Sequence, residues 1–237
     1  MLNPWHELPP SPPYVLPDDS ALVAALNSRG SETTKYDLNF FPEPFIGRPD
    51  ATVVVLTLNP GWHETDPALH ASTSFASLAR RSLSHSLEAY RFLHLQPGMQ
   101  TLGARYWNRK ARPLIEAAGF DTVAKNLLCI QYFPYHSKEY KPSPAFIPSQ
   151  QYGFALLRAA LARGADVVIM RSRRLWSAAV PQLDTYARVH LVRNPRNPAL
   201  SARNLGQASF GQVLTRLQSG AVQISTTVLG RKCGTKN

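Results

Sequence analysis

The run TVVVLTL at 52–58 is apolar at both of its alternating positions and stops abruptly at Asn59-Pro60-Gly61. A strand without a polar face has to be covered on both sides, which is the situation at the centre of a parallel sheet. Three further runs behave alike: NLLCIQY at 126–132, ending at Phe133-Pro134; Val167–Arg171; and RVHLVR at 188–193, ending at Asn194-Pro195. Helical spacing fills the intervals. It predicts helices over Ser74–Leu93, Arg105–Ala118 (with Pro113 as a kink or a late start and Gly119 as the stop), Gln150–Arg163, Arg173–Val180 and Asn204–Leu217, the last stopped by Gly220. A short helix from Ala21 to about Ser28 precedes them, capped within Asp18-Asp19-Ser20, and NFFPEPFIGRPD at 39–50 reads as a loop. The alternation predicts an α/β fold: a three-layer α/β/α sandwich around a central four-stranded parallel sheet.

A chain of 237 residues that is 44% hydrophobic and 17% charged has enough apolar material for one full core. One α/β domain over 18–220 is expected, with a proline-rich arm at 1–17 lying on its surface and a tail at 221–237. No apolar run reaches the roughly 18–20 residues of a membrane span. The segment MLNPWHELPPSPP has neither a basic nor an apolar stretch, so no signal peptide is expected. Cys129 lies in an apolar run and Cys233 in a polar one. Two cysteines exclude a disulfide framework, a four-cysteine zinc site and a four-cysteine iron–sulfur cluster. A reducing, cytoplasmic compartment and a monomer are expected, with no metal and no cofactor.

Charge narrows the partner. Lysine and arginine number 26 against 15 acidic residues, a net charge of +11, and 19 of the 26 are arginine. Arginine grips phosphate with a planar fork, and solubility alone is better served by acidic residues. DNA is the expected partner and a membrane is not.

In parallel sheets ligands bind at the C-terminal strand ends, so the three proline-bearing turns should line one cleft. In the first turn proline sets φ, glycine lets a ligand come close, and Asn59 projects an amide that can hold a water. In the second, Gln131 offers an amide to the edge of a nucleobase. In the third, Asn194 and Asn197 stand among prolines beside Arg193, Arg196 and Arg203, a composition suited to phosphate contacts ahead of a helix. Each turn also has a plain reading as a rigid connector.

These residues resemble a family. LTLNPGW at 56–62 looks like the first motif of the uracil-DNA glycosylase superfamily, closest to the mismatch-specific and thymine-DNA glycosylase branch. The strand followed by RNPRNPALS at 193–201 resembles its second motif, and RYWNRKARPLIEAAGF at 105–120 the helix between them. The resemblance spans roughly 40–218 and implies that superfamily's fold. It implies that Asn59 positions the attacking water, that Asn194 steadies the departing base (with Asn197 as the competing alignment), and that Gln131 reads the flipped base. Phe75 falls where the family has a stacking aromatic, with Trp62 and Tyr106 as rivals. Gly61 stands where uracil-excising members carry a tyrosine that blocks the C5 side of the pyrimidine. Thr57 replaces the first motif's usual glycine.

The activity so implied is that of a monofunctional DNA glycosylase. It would flip and hydrolytically excise a mismatched or C5-substituted pyrimidine, in repair or in defence against phage DNA with modified bases. An amide does not titrate, so Asn59 can only orient water, and leaving-group stabilisation must do the rest. His63 and His136 are candidates for a proton or a hydrogen bond at the base. Two other readings stay open: a DNA-binding module of the same fold with little or no turnover, and an enzyme acting on a free nucleotide. No G-x-G-x-x-G follows any strand, which argues against a dinucleotide enzyme.

Overall fold

The computed structural model describes residues 1–62, 66–143 and 145–232, of which 221–232 are described by their backbone alone. The four apolar runs are all strands: β2 (Val53–Thr57), β3 (Leu127–Gln131), β4 (Asp166–Ile169) and β5 (Val189–Leu191). All four are parallel, and every residue of β2, β3 and β4 is buried, as their unbroken apolar sequence requires. A fifth strand, β1 (Phe45–Gly47), lies in the segment read as a loop and pairs antiparallel with β3. The three residues Phe45–Gly47 are too few to show a period. Only the edge position, with one side to bond, makes them a strand. The sheet is therefore mixed and five-stranded among the described residues, in the order β1-β3-β2-β4-β5, rather than purely parallel and four-stranded.

Gly47 is what allows the edge pairing. Its φ is +114°, and a Cβ there would overlap the carbonyl oxygen of Leu127. Gly47→Ala should cost more than about 2 kcal/mol, since strained backbone and a backbone collision add. Urea denaturation checks this. A midpoint equal to wild type would mean that β1 can detach without cost.

Helices flank the sheet, an arrangement consistent with three α/β/α layers. They are α1 (Pro17–Ser28), α2 (Asp66–His70), α3 (Thr73–Leu83), α4 (Leu102–Ala118), α5 (Phe120–Asn126), α6 (Gln150–Ala162), α7 (Arg173–Ala179), α8 (Ala202–Leu205) and α9 (Gln207–Lys232). Several boundaries differ from the sequence reading. Helix α1 begins at Pro17, with Asp18 and Asp19 inside its first turn instead of capping it. The helix expected over Ser74–Leu93 ends at Leu83, because His85 takes a left-handed φ of 57°. Helix α4 runs through Pro113. Gly220 does not stop the last helix. A Cβ there would lie 2.9 Å from Thr52 Oγ1, so this glycine lets α9 close onto the start of β2.

The proline-rich arm is part of the core and not a strap on its surface. Trp5, Leu8, Tyr14, Val15 and Leu16 are buried with the sheet residues. Tyr14 stacks on Phe41 at 4.1 Å, Leu16 N donates to Tyr135 Oη, and the Arg80 guanidinium donates to the carbonyls of Leu8 and Pro9. Prolines keep this segment extended, and the apolar residues between them give it a side to bury. No described helix is long and apolar enough to cross a membrane.

Strand order places the cleft. From β2 the chain passes to β3 on one side, then crosses over β2 to β4 on the other. The connections diverge between β2 and β4, and such a divergence opens a crevice at the C-terminal strand ends.

Candidate active site

A cavity of about 540 Å³ occupies that crevice, within the roughly 300–1,000 Å³ of small-molecule sites. Its wall takes Thr57–Trp62 from the end of β2, Gln131 and the following loop from β3, and Arg171 from beyond β4. Five of the residues singled out in the sequence line it together: Asn59, Gly61, Trp62, Gln131 and His136. Phe75 and Tyr106, two of the three aromatic candidates, do so as well. His63 lies outside the described residues.

Both amides are held in one orientation. Asn59 Nδ2 donates to Ser137 Oγ (2.9 Å) and to the carbonyls of Pro60 (3.1 Å) and Ser137 (3.4 Å). Two of these three acceptors are carbonyls, so the nitrogen must face them. Oδ1 accepts from no described residue. Ser137 is itself fixed, donating its hydroxyl proton to Glu139 O at 2.8 Å. Gln131 is set the opposite way round. Thr57 Oγ1 donates to Gln131 Oε1, leaving the NH2 group as the unclaimed end. Thr57 thus pins the second turn's amide from the first. One wall presents an acceptor and the other a donor.

His136 is held between two backbone carbonyls. Its Nδ1 lies 2.8 Å from Gly61 O and its Nε2 3.0 Å from Phe41 O. Both partners are backbone carbonyls, so both ring nitrogens are turned to the protein and not to a ligand. The ring ties the Asn59–Trp62 turn to the segment before β1.

That segment carries what sequence reasoning missed. Glu43 is 8% exposed and lies on the cavity wall. Its Oε1 accepts from His94 Nε2 at 3.0 Å. Burial alone would raise the Glu43 carboxyl, but the His94 charge and hydrogen bond, with His136 behind them, outweigh burial and hold it down at about 2. His70 is driven down to about 3, by burial first and then by His136. It is therefore neutral, and since its Nδ1 accepts from Phe41 N (3.0 Å) its proton sits on Nε2. His94 lies flat against Gly103, where any Cβ would run into its ring. The one available signal was a lone carboxylate in FFPEPF, among aromatics and prolines. The histidines come from separate segments and share no spacing. Cys129, beneath this layer, is inert: burial pushes its thiol up to about 12.

The aromatic candidates separate in space. Phe75 is buried and packs edge-on to His70 at 4.8 Å. Tyr106, on α4, is half-buried and meets Trp107 edge-on at 5.5 Å. Trp62 is half-buried, near the exposed Gly61, with Lys138 Nζ over its ring at 4.5 Å.

The third turn stands at the rim. Asn194 is exposed, and its Oδ1 accepts from Arg196 N and Asn197 N, both at 3.2 Å, closing an Asx turn. Neither Asn194 nor Asn197 lines the cavity. The link is indirect: Arg171, a cavity residue, reaches Arg196 O at 3.5 Å, and buried Lys110 donates to Asn197 Oδ1 at 2.8 Å. Arg193, Arg196 and Arg203 are exposed, and like Arg171 they form no ion pair with a described carboxylate. The described residues contain no cluster of histidine, cysteine and carboxylate groups able to hold a metal. No family model matches this chain, and no curated protein or solved structure matches it either.

Proposed function

We propose that the protein is a DNA glycosylase of uracil-DNA glycosylase-like fold that hydrolytically removes a C5-substituted or mismatched pyrimidine from DNA. The observation that carries this reading is the pair of oppositely fixed amides, Asn59 and Gln131, in one cavity at the point where the strand connections diverge. A base flipped into the cavity meets the Gln131 NH2 with its hydrogen-bonding edge. A water held on Asn59 Oδ1 lies nearer the mouth, since Asn59 is half-buried where Gln131 is buried. The C1′–N bond breaks towards a cationic sugar, the water adds at C1′, and its proton leaves to solvent. Asn59 contributes orientation only. The NH2 of Gln131, aimed at the base edge, stabilises the electrons that move onto the departing base.

Arg171 lines the cavity and reaches the Arg196 carbonyl, and these two with the exposed Arg193 and Arg203 have no carboxylate partner among the described residues, as phosphate-binding residues require. Arg196→Ala should weaken binding of every duplex alike and lower the slope of log K against log salt by about one unit. A change in which base is chosen would instead make this loop a base reader.

The deciding experiment incubates the protein with duplexes carrying uracil, mismatched thymine or C5-substituted cytosines and scores free base and abasic sites. Release from at least one C5-substituted duplex is expected. Salt-dependent binding to all of them without release would make the protein a binding module, and the absence of DNA binding would reject both readings.

A further inference from the structure

We infer that Glu43 is the acceptor that completes the base-reading floor of the cavity, opposite the donor of Gln131, so that the substrate is a base whose edge carries an unsubstituted N–H beside an acceptor. This rests on the reading of the cavity as a flipped-base pocket.

Depth comes first. Thr57, Glu43 and Gln131 are 7–8% exposed, whereas Asn59 is half-buried and Gly61 is open. A nucleotide enters with its sugar and phosphates outermost, so the far edge of the base meets the deepest groups. Complementarity comes next. With Oε1 taken by Thr57, Gln131 reads an acceptor. Every pyrimidine edge sets an N–H beside an acceptor, N3–H by O4 in uracil and thymine and N4–H by N3 in cytosine. A floor with a donor alone would leave that N–H buried and unpaired, at a cost of about 1–3 kcal/mol. The other carboxylates on the wall belong to Asp66 and Glu139, which are half-buried and exposed. Glu43 is the one at depth.

Preorganisation is the third argument. Glu43 Oε1 is committed to His94, while Oε2 accepts from no described residue. Gly103 leaves the room that the His94 ring occupies, since a Cβ there would collide with it. A carboxylate serving merely as a counter-charge needs no such seat on a cavity wall.

The test is single-turnover base release by wild type and Glu43→Gln, each on the preferred base and on the same base methylated at its edge nitrogen. Wild type should reject the methylated base by about 10⁴-fold, as sites built around a buried N–H contact do. Glu43→Gln, whose Oε1 still accepts from His94, should slow release of the preferred base at least tenfold and narrow the discrimination, with duplex affinity and Tm unchanged. Equal slowing on both bases would make Glu43 catalytic and not a reader, and an unaltered rate would make it a counter-charge for His94. Either overturns the assignment while leaving the glycosylase reading intact. No release by wild type from any duplex overturns both. Should Glu43→Gln melt early, Gly103→Ala moves the His94 ring and keeps the Glu43 charge. It should narrow the same discrimination, and unchanged discrimination in a folded Gly103→Ala protein counts against the reader.

Discussion

Asn59→Ala should keep the fold and duplex affinity close to wild type and lower base release by about 10²-fold or more, because in the proposed reaction Asn59 orients the attacking water and so acts mainly in the transition state. The stability loss should stay near the value of one or two part-exposed hydrogen bonds, about 1–2 kcal/mol, since the amide lies on a turn outside the core. Asn59→Asp should not substitute for it. A carboxylate oxygen in place of Nδ2 would face the carbonyls of Pro60 and Ser137, acceptor against acceptor, and would turn away or take up a proton. Single-turnover release beside a binding titration measures both variants. Undiminished release by Asn59→Ala moves the chemistry away from the end of β2.

Gly61→Tyr should abolish release of C5-substituted pyrimidines by more than about 10²-fold while sparing an unsubstituted one, since a ring set against a bulky substituent is a clash and not a lost contact. The one danger in this test is strain, since a tyrosine would distort the turn if Gly61 sat at positive φ. The structure removes it. Gly61 is not among the glycines of positive φ, and nothing lies within 4 Å of where its Cβ would be. The glycine is therefore not demanded by its turn, and the space beside it is open. Melting temperature and duplex affinity serve as controls. Equal losses on large and small bases, in a folded protein that still binds DNA, would reduce Gly61 to a turn residue and favour the binding-module reading.

The parallel core and the site's two amides were legible in the chain because their signals are local. An apolar run long enough to be buried on both faces, cut off by Asn-Pro-Gly, specifies a central strand and its end without knowing its neighbours. Asn59, Gly61 and Gln131 could be named from that alone. What hangs on pairing across the chain was not legible. Strand β1 has three residues and no period, and exists through β3. The arm's prolines suggested surface, while its place in the core depends on partners such as Phe41, Arg80 and Tyr135. Gly220 read as a stop and serves as a point of contact with Thr52. The amide orientations follow from Thr57, 74 residues from Gln131, and Ser137, 78 residues from Asn59. The Glu43–His94–His136–His70 cluster comes from four segments with no shared spacing. Local chemistry decides which backbone a segment can adopt. Which polar groups end up facing one another, buried and obliged to pair, is settled only when the segments meet, because the cost of an unpaired buried group is a property of the assembled interior.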